Sequence, residues 1–180
     1  MHYGLFTSGY HFSELIRYTF FSERKSDYEE MVTHHIVTMV LYIGYFLANM
    51  HCIGAFIAVL HDISDIFVNL GRIAQASEYT KVSFGFSFIV LTTWAWTRLY
   101  ILPYCIWFLI YVSNPQFFST LELADVYVPY IKSMAFFLGC LAILHYWWFY
   151  LIVQMIYGII TKGELIDLQR KVEPTGTKKT

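Results

Sequence analysis

The sequence has little charge for its length. Only 14% of its 180 residues are Asp, Glu, Lys or Arg, whereas a soluble domain is about one quarter charged. The net charge is −1 and no long basic run is present, which argues against a nucleic-acid partner. In place of charge, 57% of the residues are hydrophobic and 20% are aromatic. This composition excludes a soluble globular domain and indicates a protein of the lipid bilayer.

Cysteine is scarce, and a leader peptide is not evident. The three cysteines, Cys52, Cys105 and Cys140, are widely spaced in apolar sequence, so they predict neither a disulfide framework nor a metal-binding cluster. The first residues, MHYGLFTSGYHF, lack the order of basic, apolar and small residues that defines a secretory signal. The sequence also has no internal repeat. A secreted disulfide scaffold and a repeat protein are therefore both disfavoured.

Apolar segments of bilayer length predict an all-α polytopic membrane protein with about five transmembrane helices. The predicted spans are Tyr3–Phe21, Met31–Ala48, Ile53–Leu70, Val82–Tyr111 and Tyr130–Ile160. The last two exceed the ~20 residues that a bilayer needs, so tilt or a kink is expected, and Pro103 is a predicted kink or end. Residues 1–160 form the predicted transmembrane domain, and residues 161–180 form a polar tail that is predicted to be disordered.

Basic residues predict the orientation of these spans. Lys and Arg occur in the first and third connectors and in the tail, but not in the second and fourth connectors. By the positive-inside rule, the first and third connectors and the C-terminus are cytosolic. An odd number of spans then places the N-terminus on the lumenal side. Because no signal peptide would deliver it there, at least one further upstream helix is expected.

Five ionisable residues interrupt the second and third spans. They are His34, His35, His61, Asp62 and Asp65. If these spans form a hairpin that turns near residue 50, residues whose numbers sum to about 100 share a depth. His35 would then face Asp65 near the cytosolic end.

Each such group costs about 3 kcal/mol at the centre of a membrane helix, and five exceed what helix packing requires. A histidine beside a carboxylate suits a general base or a nucleophile. A satisfied polar cluster that fixes helix packing is the alternative.

The segment RKSDYEEMVTHHIVTMVL, followed by HDISDIFV, resembles the signature of the ceramide synthases, the longevity-assurance branch of the TLC-domain family. Similar segments are ASEYTK, TRLYILPYCIW and HYWWFYLIVQMIYGIITKGE. The resemblance covers nearly all of residues 1–165. It implies that residues 1–160 form a TLC-type bundle, a barrel of membrane helices around a long acyl tunnel. It also implies a multi-pass protein of the endoplasmic reticulum membrane with a cytosolic C-terminus.

The resemblance implies transfer of a fatty acyl group from acyl-CoA to the amine of a sphingoid base, which forms (dihydro)ceramide. Its partners would be these two substrates and membrane lipids, with no metal and no cofactor besides the co-substrate acyl-CoA. Carried over by position, the catalytic residues are His34, His35, Asp62 and Asp65. Additional candidates are His61 and Arg98, and candidate contacts to the CoA phosphates are Arg24 and Lys25. In one mechanism a histidine, assumed to be His34, attacks the thioester and forms an acyl-imidazole. In the other mechanism a histidine only removes a proton from the amine.

Two other functions are weighed against this one. A TLC-type protein that binds or senses lipid without catalysis generally lacks the full set of paired histidines and HDISD. A di-iron membrane hydroxylase would use about eight histidines in several boxes, whereas this chain has seven, which are scattered. The family's upstream helices and acidic tail motif are missing, so an N-terminally incomplete chain is predicted. Acyl-chain length, the preferred base and homo- or hetero-dimerisation stay open.

Other polar residues of the spans are interpreted as structural. Glu14 and Arg17, three residues apart, are predicted to form an ion pair in the first span. Arg98 is predicted to form a structural ion pair or to reach the membrane interface. This interpretation is preferred to a direct contact with substrate. His145 is predicted to be a core or interface histidine rather than a ligand.

Overall fold

Within the residues that the structure describes, every regular element is a helix. The computed structural model describes residues 2–21, 27–76, 80–114 and 124–162. The α-helices are α1 (His2–Ile16), α2 (Tyr28–Leu47), α3 (His51–Ala76), α4 (Thr80–Trp94), α5 (Leu102–Val112) and α6 (Ala124–Lys162). Two π-helical segments extend α1 over Arg17–Phe21 and join α4 to α5 over Ala95–Ile101. Arg24, Lys25, most of the fourth connector and nearly all of the predicted tail lie outside the described residues.

The helices make this an all-α membrane protein, as predicted. Among the described residues, three segments are long and apolar enough to cross a bilayer: His51–Ala74, Gly85–Val112 and Asp125–Gly158. The first two predicted spans are also helical, but they are not among these three, so a count of five spans is not confirmed. In α2, the N-terminal Glu29 and Glu30 and the paired histidines lower the hydropathy of the helix.

Helices α2 and α3 form the predicted hairpin. Asn49 has a φ of 57°, a left-handed conformation that Asn adopts more readily than most residues. The amide of Met50 then donates to the carbonyl of Tyr45 at 2.9 Å. Gly54 packs directly on the ring of Tyr45, where a Cβ atom would overlap the ring. The numbers 45 and 54 sum to 99, so the predicted register is confirmed near the turn.

Helix α6 is the central packing element. It contacts α2, α4 and α5, and its buried Ile131 and Leu138 belong to one apolar cluster with Leu102 and Leu109 of α5. Many large apolar side chains point outward instead, among them Phe6, which is 79% exposed. In a bilayer such side chains meet acyl chains as apolar as themselves. The polar groups of the bundle are therefore expected to point inward.

The α4–α5 segment changes helix type next to Pro103. This proline lies in the first turn of α5, directly after the π-helical segment Ala95–Ile101, at the irregularity that its ring predicts. Having no N–H, it cannot donate to the carbonyl of Leu99 four residues earlier. The hydroxyl of Tyr146 on α6 donates to that carbonyl at 3.3 Å. The π-helical segment also carries Arg98, which is buried.

Candidate active site

Three histidines from two helices lie side by side inside the bundle. The ring of His11 on α1 lies 6.3 Å from the ring of His34 and 5.7 Å from that of His35, and the two α2 rings are 5.4 Å apart. Within the described residues, both nitrogens of His35 and the Nδ1 atoms of the other two have no hydrogen-bond partner. His35 is only 4% exposed. Buried ring nitrogens are normally bonded, so this set of unpaired ones marks a candidate functional site.

A second pair of histidines adjoins the first cluster. His145 of α6 is fully buried, and its Nε2 atom lies 2.9 Å from Nε2 of His61 on α3. The ring of His145 is 5.8 Å from that of His34. Trp148, one turn further along α6, packs edge-on to His34 at 5.3 Å. Helices α1, α2, α3 and α6 thus bring five histidines to one region.

Hydrogen bonds fix the tautomers of the second pair. Arginine only donates, so Nδ1 of His145 accepts from Nη1 of Arg98 at 3.3 Å. Nε2 of His145 then carries the proton and donates to Nε2 of His61. Nδ1 of His61 in turn donates to the carbonyl of Ile57 at 2.8 Å, because a carbonyl only accepts. The chain of bonds runs in one direction, from Arg98 through both imidazoles to the backbone, with both rings neutral.

Arg98 is the cation at the centre of this network. Its guanidinium is 3% exposed and forms an ion pair with Asp65. It also donates to the hydroxyl of Ser64 at 2.8 Å and to the carbonyl of His61 at 3.1 Å, and it stacks 4.1 Å above the ring of Trp94. These contacts agree with the structural ion pair predicted for Arg98, and they leave no part of the guanidinium at an interface.

The two acidic residues bond differently from the prediction. We expected Asp62 and Asp65 to pair with histidines of α2, but Asp65 pairs with Arg98 and Asp62 accepts from the hydroxyl of Tyr3. Among the described residues, neither carboxylate is hydrogen-bonded to His34 or His35. The physical reason is that a buried guanidinium needs a carboxylate more than a neutral imidazole does. The Asp65 carboxylate remains half exposed, toward the cavities that it lines.

An apolar cavity runs from the histidines toward the α2–α3 turn. It has an empty volume of about 780 Å³, counting space open to the surroundings. Its walls include Leu41, Met50, Ile57, Leu138 and Leu141. An aliphatic chain is the kind of ligand that such a lining favours.

A polar cavity opens at the other side of the histidines. It has an empty volume of about 1770 Å³, counting space open to the surroundings. Its charged lining includes Glu14, Arg17, Asp27, Arg72 and Arg98. The two cavities share His11, His34 and Asp65 in their walls. A ligand with an aliphatic part and a charged part would therefore place the junction of the two at these residues.

Most of the predicted site residues come together in the structure. His34, His35, His61, Asp65 and Arg98 lie in one connected region, and Asp62 lies next to it on α3. Their catalytic roles stay predictions.

The sequence pattern indicates no role for Tyr3 or His11, and it predicts that His145 is a core or interface histidine rather than a ligand. The available signal was that an ionisable residue within a membrane span is by default a functional candidate. The predicted pair of Glu14 and Arg17 is confirmed, with Nε of Arg17 donating at 3.0 Å.

Comparison with known protein families identifies the fold family. The model of the TLC domain matches residues 1–154, which include the whole histidine cluster, the lining of the apolar cavity and all of the lining of the polar cavity except Met155. The chain belongs to the TLC-domain family. The three apolar helices and this membership agree on a multi-pass membrane protein.

Several curated relatives of this TLC domain are ceramide synthases. Ceramide synthase 1 LOH3 of Arabidopsis thaliana is 28% identical over 91% of the chain and 53% of its own length. Ceramide synthase hyl-1 of Caenorhabditis elegans is 26% identical over 93% of the chain and 46% of its own length. Human ceramide synthase 4 is 30% identical over 92% of the chain and 40% of its own length. The TLC domain thus spans about half the length of these relatives, and no solved structure matches it.

Proposed function

We propose that this TLC domain performs the acyl transfer of a ceramide synthase. It would move a fatty acyl group from acyl-CoA to the amine of a sphingoid base and release free CoA. Similarity to ceramide synthases over about nine tenths of the chain supports this proposal. We further propose an endoplasmic reticulum location, which the similarity to ceramide synthases supports, and a cytosolic C-terminus, which the distribution of basic residues supports.

The observation that carries the proposal is the meeting of the two cavities at His34. A fatty acyl-CoA has an aliphatic chain, a thioester and a highly charged nucleotide, in that order. The apolar lining of the first cavity matches the chemical character of the chain, and the charged lining of the second matches that of the polar part. The thioester would then lie at the wall that both cavities share, beside His34. His35 lines only the polar cavity, which favours His34 as the residue that meets the carbonyl carbon.

The chemistry follows from the state of the imidazoles. A neutral His34 nitrogen attacks the thioester carbon, the carbon–sulfur bond breaks, and CoA leaves as a thiolate that takes up a proton. The sphingoid amine then displaces the imidazole, forms the amide and loses a proton. In the other mechanism, a histidine takes the amine proton while the amine attacks the thioester directly. Both require an unprotonated ring nitrogen with a free lone pair, and the unpaired nitrogens of His34 and His35 supply it.

The second candidate function is lipid binding or sensing without catalysis. The apolar cavity favours it as much as it favours the enzyme, because an aliphatic chain would fill it in either case. What distinguishes the two is the need for reactive groups. A binding protein gains nothing from several buried, unpaired ring nitrogens at the end of its cavity and bears their desolvation cost.

The test is an acylation assay with the full chain in cells that lack their own ceramide synthases. Microsomes receive a sphingoid base and a panel of acyl-CoAs, and N-acylated product is measured by mass spectrometry. We expect product with a defined range of chain lengths. Absence of product with every chain length, from protein shown to be folded in the membrane, would replace this proposal with the lipid-sensing function.

The apolar cavity is expected to limit the length of the acyl chain. Ala58 lines it three residues before His61, or about 4.5 Å along the helix. Ala58→Phe should block the cavity close to the histidines. The ratio of short-chain to long-chain product should therefore rise by about tenfold or more. Val59→Phe is the matched control, because Val59 lies one residue further on and is exposed on the outer face. An unchanged chain-length profile for Ala58→Phe would mean that the acyl chain lies elsewhere.

A further inference from the structure

The three histidines of α1 and α2 are arranged as a set of ligands. His11, His34 and His35 each offer one ring nitrogen, and these three atoms all lie within 4.8 Å of one another. The proposed acyl transfer uses the α2 pair but assigns no task to His11. Within the described residues, each of these three histidines has at least one buried ring nitrogen without a hydrogen-bond partner. One of them, His35, is almost fully buried.

We propose that His11, His34 and His35 bind one zinc ion. Zn²⁺ is held by imidazole nitrogens at about 2.0–2.1 Å, so the nitrogens of a tetrahedral site lie about 3.4 Å apart. Small rotations of the three side chains bring nitrogens that now lie within 4.8 Å to that spacing. Three imidazoles leave a fourth position for water from the polar cavity, which His11, His34 and His35 all line.

The ligand types select the metal. Imidazole suits zinc, copper, iron and nickel, whereas magnesium and calcium require oxygen ligands. The set contains neither a thiolate nor a carboxylate, since Asp65 and Glu14 are held by Arg98 and Arg17. Tetrahedral coordination by three histidines and water is a common zinc arrangement. The resemblance to ceramide synthases implies no metal, and the sequence alone does not place His11 of α1 beside the α2 pair.

Zinc at this site would regulate the acyl transfer. A bound ion takes the lone pairs of His34 and His35, which the transfer needs for attack or for proton removal. Zinc should therefore inhibit the enzyme, and a chelator should restore it. This regulatory part rests on the proposed function, whereas zinc binding itself does not.

The test measures zinc binding directly. The full chain is purified in detergent, stripped with a chelator and titrated with Zn²⁺, and the bound metal is counted by elemental analysis. We expect one ion per chain. Second-sphere changes alone lower metal affinity about 10–100-fold, so loss of a ligand in His11→Phe should weaken binding by at least about 100-fold. His11→Gln, which retains polarity, should do the same and guards against a folding defect.

His51→Phe provides the matched control. This histidine also has an unpaired, buried Nδ1 atom and packs against Phe46, but it lies outside the cluster, so its variant should bind zinc like the wild type. No bound zinc in the wild type, or equal affinity in His11→Gln and the wild type, would overturn the proposal. Because binding is read without activity, an inactive chain that binds zinc through His11 refutes only the acyl transfer. An active chain that binds none refutes only the metal site.

Discussion

His34→Ala is expected to abolish N-acylation. The rate should fall by about 10²–10⁴-fold, because general acid–base catalysis contributes a factor of that size. The reason is that His34, unlike its neighbour His35, lines both cavities, so its imidazole would meet a thioester at their junction. The measurement is the rate of N-acylated product formation in membranes that contain equal amounts of folded protein. His51→Ala is the control, because it removes a histidine of the same bundle that lies outside both cavities.

Two further readouts assign the mechanism. If His34 forms an acyl-imidazole, the wild type incubated with acyl-CoA but no sphingoid base should gain the mass of one acyl group on the peptide that contains His34. If it acts as a base, no mass is gained, although His34→Ala is still inactive. A fully active His34→Ala protein would contradict both mechanisms for this residue. Activity lost only in His35→Ala would transfer the role to His35.

The hairpin of α2 and α3 shows what sequence could predict. A short connector between two apolar segments fixes the register of the helices, because both rise by the same ~1.5 Å per residue from one turn. Tyr45 therefore meets Gly54, and Tyr42 shares a cluster with Ala58. The sequence also identifies the five ionisable residues of these two helices as candidates, because each is costly in an apolar span. Local pattern and burial cost were sufficient for both predictions.

The partners of the acidic residues could not be predicted in this way. A hairpin contains only two helices, so its register alone assigns the carboxylates of α3 to the histidines of α2. In the structure, the hydroxyl of Tyr3 comes from α1 and the guanidinium of Arg98 comes from the π-helical segment, 33 residues from Asp65. Which distant helix packs against α3 depends on the tertiary fold. No spacing within the hairpin contains that information.

The same limit explains why the sequence predicts only a core or interface histidine at His145. It is indeed fully buried, but its importance comes from bonds to His61 and Arg98, which are 84 and 47 residues away. The aromatic residues around it in the sequence gave no indication of these partners. Its neutral ring receives a hydrogen bond from a cation and passes one on, which fixes the orientation of His61 at the wall of the apolar cavity.

Loss of the carboxylate of Asp65 should destabilise the fold severely. In Asp65→Leu the guanidinium of Arg98, only 3% exposed, would keep its charge without a counter-ion, and breaking a buried pair from one side costs about 3–5 kcal/mol. The measurement is the free energy of unfolding in detergent, followed by tryptophan fluorescence, since Trp94 stacks on Arg98. Asp62→Leu is the matched control. It removes a carboxylate bonded to the neutral Tyr3, so its cost should be nearer 1–3 kcal/mol.

The double variant Asp65→Leu/Arg98→Met separates charge from packing. Replacing a whole buried ion pair by apolar residues is often neutral or even stabilising, so most of the stability lost in Asp65→Leu should return. Activity should not return, because His145 then loses the donor that fixes its tautomer, and with it the orientation of His61. A double variant as unstable as Asp65→Leu would show that the loss comes from packing around residue 65 and not from the uncompensated charge. Equal losses in Asp65→Leu and Asp62→Leu would contradict a special role for the ion pair with Arg98.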